Sequence, residues 1–226
     1  EHFQAYWSWY IAVMETLRDE ECYGGYDNSA VSDLSSFGLW FPNHRIMLSW
    51  NWVPAGSIHK RSKEDNVPYD MWWYSGLINK TPNEYISEKE IARALVGENG
   101  IAHHFRYLRN VCFDRWGSNA IYEAFDDYGI PCKSYPQSFG GMNQPVKQME
   151  IMAHNRELFH GGNPVLKWQM QNISLQVNKD DQQRPSRDAS SDKIDGIVAL
   201  LMALGGWLYQ DDEVIKRLGK YEVKDA

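Results

Sequence analysis

Apolar positions along the chain repeat in two rhythms, one helical and one alternating, and their order outlines the fold. Residues 3–18, FQAYWSWYIAVMETLR, carry apolar side chains at helical spacing and run into the charged DEE, which predicts a helix leading into a first strand. Residues 21–26 read as that strand, ending at Asp27. After the small polar loop DNSAVSD, the segments SSFGLWF and RIMLSWNWV read as two further strands joined at the turn PNH. Together they predict a β-meander. A polar stretch with the aromatic cluster YDMWWY, within 57–76, predicts two short helices over the sheet.

Ser87 with Glu90 has the form of a capping box, and EIARALVGENGIAHHFRYL continues as a long helix with possible interruptions at Gly97 and Gly100. NVCFD is a short buried strand. Ser118 can cap a helix NAIYEAFDDYG that stops at Gly129, and IPCKSYP is a strand after it, which completes a strand, helix, strand unit. Residues 143–159 predict another amphipathic helix, HGGNP a turn, PVLKWQMQN a helix with Pro at its first position, and ISLQV a strand. NKDDQQRPSRDASSD, almost without apolar residues, predicts a solvated loop. KIDGIVALLMALGGWL predicts a strongly apolar helix with Ile194, Ile197, Val198, Leu201, Leu204 and Leu208 on one face. The pattern contains neither an internal repeat nor a coiled-coil heptad.

Composition narrows the class. At 226 residues, with 43% hydrophobic and 14% aromatic side chains, the chain can bury one sizeable core and is too apolar to be disordered. Most of the Trp and Tyr side chains fall on the alternating strand pattern, so they read as core more than as a base-stacking platform. No apolar run reaches the roughly 18 residues of a membrane span. The start, EHFQAYWSWY, has no basic n-region or cleavage pattern and reads as the cut edge of a longer protein. Cys22, Cys112 and Cys132 are odd in number and widely spaced, against both a disulfide framework and a zinc site, and in keeping with a reducing cytosol. A net charge of -7 is the wrong sign for gripping nucleic acid by bulk electrostatics. A chain of this charge that acts on DNA needs other subunits to hold the DNA, or metal to invert the local field.

Three aspartates occupy comparable places: Asp27 at a strand end, Asp114 at the end of NVCFD, and Asp195 in the first turn of the last helix. Strand ends and a helix start can converge on one sheet edge. Mg²⁺ and Mn²⁺ take oxygen ligands, and two such ions about 4 Å apart can serve phosphodiester hydrolysis if carboxylates hold them. Asp33, on the loop past Asp27, is a fourth candidate ligand. Each has a plainer explanation alone. Asp27 followed by Asn and Ser is turn chemistry, Asp114 precedes Arg115 and can pair with it, and Asp195 suits a helix N-terminus. Only their joint placement points to metal. Other chemistries lack their signatures: there is no HExxH, no GxSxG and no GxxxxGK[ST], and the adjacent His103 and His104 cannot face one ion from a helix.

The run HNRELFHGGNPVLKWQMQNISLQVNKDDQQRPSRDASSDKIDGIVALLMALG closely resembles the end of the nuclease domain of the large terminase subunit of tailed bacteriophages. HGGNPVLKW, Asn172 and KIDGIVALLMAL are its most specific parts. GGYDNSAVSDLSSF, VPYDMWWYSGLINKTPNEYIS, VCFDRWGSNAI and SFGGMNQPVKQME are similar to earlier parts of that family, in order, so the resemblance covers nearly everything beyond the first helix. It implies an α/β fold of the RNase H-like (integrase-like) kind, a mixed central sheet flanked by helices with aspartates at one edge. It places Asp27, Asp114 and Asp195 on the metal-binding, catalytic positions and Asp33 on an auxiliary one. Asp126 and Asp127 are not favoured by it. Lys193 and Arg115 fall where a cation could meet the scissile phosphate, although a solvated loop lysine explains Lys193 equally well. His160, in HGGNP, reads as part of a turn that shapes the site.

The same resemblance implies a division into residues 1–20, a linker helix from an absent N-terminal ATPase domain, residues 21–210, the nuclease, and residues 211–226, a C-terminal tail. It implies a viral DNA-packaging endonuclease that uses two divalent cations, Mg²⁺ or Mn²⁺, on double-stranded DNA. Its partners would be the ATPase domain, the terminase small subunit and the portal protein, in the host cytoplasm at the procapsid portal. A junction resolvase on the same fold, or a docking domain with idle acids, are the alternatives.

Overall fold

The computed structural model describes residues 2–28, 34–114, 119–211 and 214–216. Helix α1 (His2–Leu17) precedes strand β1 (Glu21–Asp27), and the meander continues through β2 (Ser35–Phe41) and β3 (Ile46–Pro54). β1 pairs antiparallel with β2, and β2 with β3, as the alternation and the turn before Ile46 predict. A single 3₁₀ turn leads into α2 (Ile58–Glu64) and α3 (Tyr69–Tyr74), the two short helices expected there. β4 (Asn79–Thr81), a three-residue strand too short to leave a pattern, pairs parallel with β3.

The helix expected to run on to residue 108 is broken. The Ser87 hydroxyl accepts from the Glu90 amide at the start of α4 (Glu88–Val96), α5 (Ile101–His104) is one turn, and Tyr107 already begins β5 (Tyr107–Phe113). Gly97 and Gly100 are both extended, which ends the first helix and offsets the second. α6 (Asn119–Asp127) and β6 (Cys132–Ser134) complete the parallel unit, and Gly129, at φ 80°, supplies the left-handed turn between them. Ser118, expected to cap α6, lies outside the described residues. The sheet order is β4-β3-β2-β1-β5-β6, a mixed sheet of the kind expected.

α7 (Phe139–His154) begins four residues earlier than its apolar pattern suggests, because Ser138 caps it by accepting from the Gly141 amide. Pro145 inside α7 removes a donor to the carbonyl of Gly141. The buried Tyr135 hydroxyl donates to that carbonyl instead, at 2.7 Å, so the helix continues without an orphaned group. α8 (Pro164–Asn172) has Pro at its first turn as expected, and Asn163 caps it through the amides of Val165 and Leu166. β7 (Leu175–Val177) lies in the strand expected at ISLQV, and β8 (Gln183–Pro185), inside the segment expected to be a solvated loop, pairs with it as a hairpin.

α9 (Asp195–Leu208) is buried on every side from Asp195 to Gly206, not on one face. One side lies on the sheet, and α7 and α8 cover much of the other, with Met142, Val146 and Leu166 in the same apolar cluster. A Cβ at Gly25 would stand 1.9 Å from the Ala199 carbonyl oxygen, so helix and strand meet backbone to backbone at that point. The opposite sheet face carries α4, α5 and α6 with Leu17 of α1. α1 lies against this body: Trp7 Nε1 donates to the Ser75 carbonyl at 2.8 Å, and Tyr6 is buried among α2, α3 and α8.

Candidate functional site

Strand geometry brings the first two carboxylates together. β1 and β5 are parallel neighbours in which Tyr26 pairs with Phe113, so the following residues, Asp27 and Asp114, leave the sheet side by side. Side chains alternate along a strand, and Gly25 faces α9, so Asp27, two residues on, faces α9 as well. Cys112 packs in the α9 cluster, which puts Asp114 on that face too. α9 crosses β1 with Ala199 over Gly25, and its first turn therefore carries Asp195 toward the strand end. Gly196 permits this seat. A Cβ there would stand 2.2 Å from Gln169 Oε1, and Gln169 in turn donates to Asn51 at 3.1 Å.

Two donors stitch the three carboxylates together. Gln137 Nε2 donates to Asp27 Oδ1 at 3.1 Å and to Asp114 Oδ2 at 3.0 Å. Arg187 donates from Nη2 to Asp27 Oδ2 at 2.5 Å and from Nη1 to Asp195 Oδ1 at 2.7 Å. Asp27 and Asp195 are fully buried, Asp114 is half-buried, and the Arg187 side chain is 47% exposed, so the cation closes the mouth of an anionic recess. Among the described residues no three carboxylate, imidazole or thiol groups are gathered closely enough to close on an ion as they stand. The guanidinium and the amide stand between the acids. The donor set nevertheless fits a hard divalent cation by type, being carboxylate oxygen throughout, and the guanidinium already stands in for the positive charge such a set demands.

Nothing local in the sequence marks Arg187 or Gln137. Arg187 sits in a polar run that gave no periodicity, 160 residues from Asp27, and Gln137 lies in a short connection after β6. Asp33 and Arg115, both sequence candidates, lie outside the described residues. Lys193 is half-buried and lines a cavity of about 510 Å³ with Glu64, Asp65, Arg187, Asp192 and Asp195, which places it beside the acids. Asn172 holds this segment: its Nδ2 donates to the Lys193 carbonyl at 3.2 Å, and its own carbonyl accepts from the Ser191 amide. Asp126 and Asp127 are exposed on α6. HGGNP serves α1 and α8. Gly161 and Gly162 both have positive φ, Gly161 packs on the Trp9 ring, and Asn163 Nδ2 donates to the Tyr6 hydroxyl at 3.0 Å. Burial lowers the His160 pKa, which keeps that ring neutral.

Burial pushes the Asp27 carboxyl up to about 7; Arg187 pulls it down, Asp195 pushes it further up, and the hydrogen bonds from Arg187 and Gln137 pull it down. A folded-state value above that of the unfolded chain means the folded chain holds this proton between about pH 4 and 7, where the unfolded chain has lost it. Stability from Asp27 is therefore present at low pH and lost as pH rises through about 7. The metal-free chain is therefore expected to melt at a lower temperature at about pH 8 than at about pH 5 through this group. A calorimetric series over pH on the chelator-treated wild-type chain checks it.

A mixed sheet with helices on both faces, and acids gathered where its parallel strands end, is the RNase H-like class of nuclease fold. The chain belongs to the family of terminase large-subunit endonuclease domains, whose model matches residues 4–211. As such it is a hydrolase of DNA phosphodiester bonds. It is 26% identical over 210 residues to the terminase large subunit of Enterobacteria phage HK97, covering 88% of this chain and 39% of that protein. It is 23% identical over 171 residues to protein YmfN of Escherichia coli (strain K12), covering 73% of this chain and 37% of YmfN. The chain thus spans about two fifths of the length of these relatives. The crystal structure of the HK97 large terminase superposes with a TM-score of 0.75 at 25% identity, over 86% of this chain and 42% of that one. The large terminase nuclease of thermophilic phage G20c with bound magnesium has the same fold, with a TM-score of 0.52 at 15% identity over 82% of this chain and 81% of that one.

Proposed function

We propose that this chain is the cutting domain of a viral DNA-packaging terminase, hydrolysing concatemeric double-stranded DNA with two divalent cations, Mg²⁺ or Mn²⁺, held by Asp27, Asp114 and Asp195. The observation that carries this reading is the convergence of the three carboxylates at one sheet edge, two of them buried and already demanding a cation. The G20c nuclease has been crystallised with magnesium and with cobalt, which supports a divalent ion in this fold. Such ions, when bound, draw charge from the phosphate and acidify water.

The protein's own groups do the rest. The strand ends and the first turn of α9 hold the carboxylates on rigid elements, Gln137 sets Asp27 against Asp114, and Lys193 stands on the rim beside the phosphate path. Asp33 is an auxiliary ligand in this reading and Arg115 a second phosphate contact. The net charge of -7 leaves most of the grip on DNA to partners: the ATPase domain of the same polypeptide, the terminase small subunit and the portal protein. The place of action is the host cytoplasm, at the procapsid portal. No helix among the described residues is long and apolar enough to cross a membrane.

Cleavage of plasmid duplex, RNA–DNA hybrid and four-way junction substrates tests this reading. Duplex should be cut with Mg²⁺ or Mn²⁺ and left intact with a chelator. Preferred cutting of hybrid or junction would assign another nuclease activity, and no cutting of any substrate with either ion would point to a docking role.

A further inference from the structure

Arg187 reaches two different carboxylates with two different nitrogens, Nη2 to Asp27 and Nη1 to Asp195, instead of forking onto one. A guanidinium placed so does what a shared cation does: it neutralises two buried acids that would otherwise repel each other. Its backbone is held independently of that contact. The Ser186 amide donates to the Ser174 carbonyl at 2.9 Å, and the Ser190 hydroxyl donates to the Ser186 carbonyl at 2.6 Å. The side chain can therefore leave without moving the loop. It also has somewhere to go, because it lines the 510 Å³ cavity whose other walls include Glu64, Asp65 and Asp192. Of the carboxylates there, Glu64 faces Lys60 and Asp65 faces Arg61, each at 3.7 Å, and Asp192 adds a third negative charge beside the guanidinium's way out.

We infer that Arg187 is the resident counter-ion of the nuclease site: it holds Asp27 and Asp195 together in the metal-free chain and is exchanged for the divalent cation, withdrawing into the neighbouring cavity. This rests on the reading that Asp27, Asp114 and Asp195 take such a cation. Metal loading is then a cation exchange. Apparent affinity is the intrinsic affinity multiplied by the fraction of chains whose Arg187 is already withdrawn, so a side chain withdrawn in about a tenth of molecules weakens binding about tenfold.

Calorimetric titration of Mn²⁺ into the wild-type chain, Arg187→Gln and Asp27→Asn tests the exchange. Arg187→Gln should bind Mn²⁺ about tenfold tighter than wild type, and Asp27→Asn should lose binding at this site. An unchanged or weaker affinity in a cooperatively melting Arg187→Gln, with binding still lost in Asp27→Asn, would overturn the counter-ion role alone. Absence of binding in the wild type, or equal binding in Asp27→Asn, would remove the cation reading and this inference with it. A second measurement needs no variant that could misfold. The side-chain nitrogen resonances of Arg187 should shift as Mg²⁺ saturates the wild-type chain, because the guanidinium leaves Asp27 and Asp195. Saturation that leaves them unmoved contradicts the exchange.

Discussion

Asp195→Asn and Asp114→Ala are each expected to reduce metal-dependent plasmid cleavage by at least about 10³-fold while leaving the circular dichroism spectrum and a cooperative melt in place. The size follows from the role. A carboxylate that holds a cation in the reacting position cannot be replaced by a neutral amide, which binds a hard ion weakly, or by a methyl group, which does not bind it. The fold survives for separate reasons. Asn at 195 keeps the shape and the oxygen that Arg187 contacts, and Asp114 follows β5 at a half-buried position where truncation opens no core cavity. Full activity in either variant, assayed with the chelator control, would remove that residue from the cation site.

The second large effect is on the fold. Gly25→Val should cost at least about 3 kcal/mol and lower the melting temperature by roughly 6–12 °C or more. A Cβ at this position meets backbone on α9, at 1.9 Å from the Ala199 oxygen and 2.8 Å from the Ala203 nitrogen, so no side-chain rotation relieves it. The helix must lift from β1. Lifting it also carries Asp195 away from Asp27, so activity should fall further than the lost stability alone explains. A urea melt with an unchanged midpoint would contradict the close packing of strand and helix.

Much of this arrangement is legible in the chain. The meander shows in its alternation and in the Pro-Asn-His turn, and the end of the first strand at Asp27 follows from the polar loop after it. The apolar run after Asp195 is equally plain, although it predicts a one-sided helix. It became buried all round because α7 and α8 lie over its outer side, a tertiary event that periodicity cannot report. The helix expected through residue 108 overran into β5 because IAHHFRYL contains no Pro or Gly; only Gly97 and Gly100 upstream mark the change. β4 and β8 are three residues each and exist through their partners, so nothing local announces them.

The site divides in the same way. Asp27, Asp114 and Asp195 could be nominated because each ends or begins an element, and element ends are what a sheet edge gathers. Resemblance to the terminase nuclease family preferred them over Asp126 and Asp127, which α6 leaves exposed. Arg187 and Gln137 could not be nominated. Their importance lies in whom they touch across 160 and 110 residues of chain, and a lone Arg in a polar run looks like any other solvated cation. HGGNP is a turn, as its glycines and proline suggest, but its described contacts are to Tyr6 and Trp9 of α1 and to the start of α8, which no local pattern shows.

The most direct test of the proposed site is the location of manganese in a crystal of the cleavage-competent chain, read from its anomalous diffraction. The account predicts density among the carboxylates of Asp27, Asp114 and Asp195. Manganese found only elsewhere, in a crystal of protein that cuts DNA with that ion, would contradict it.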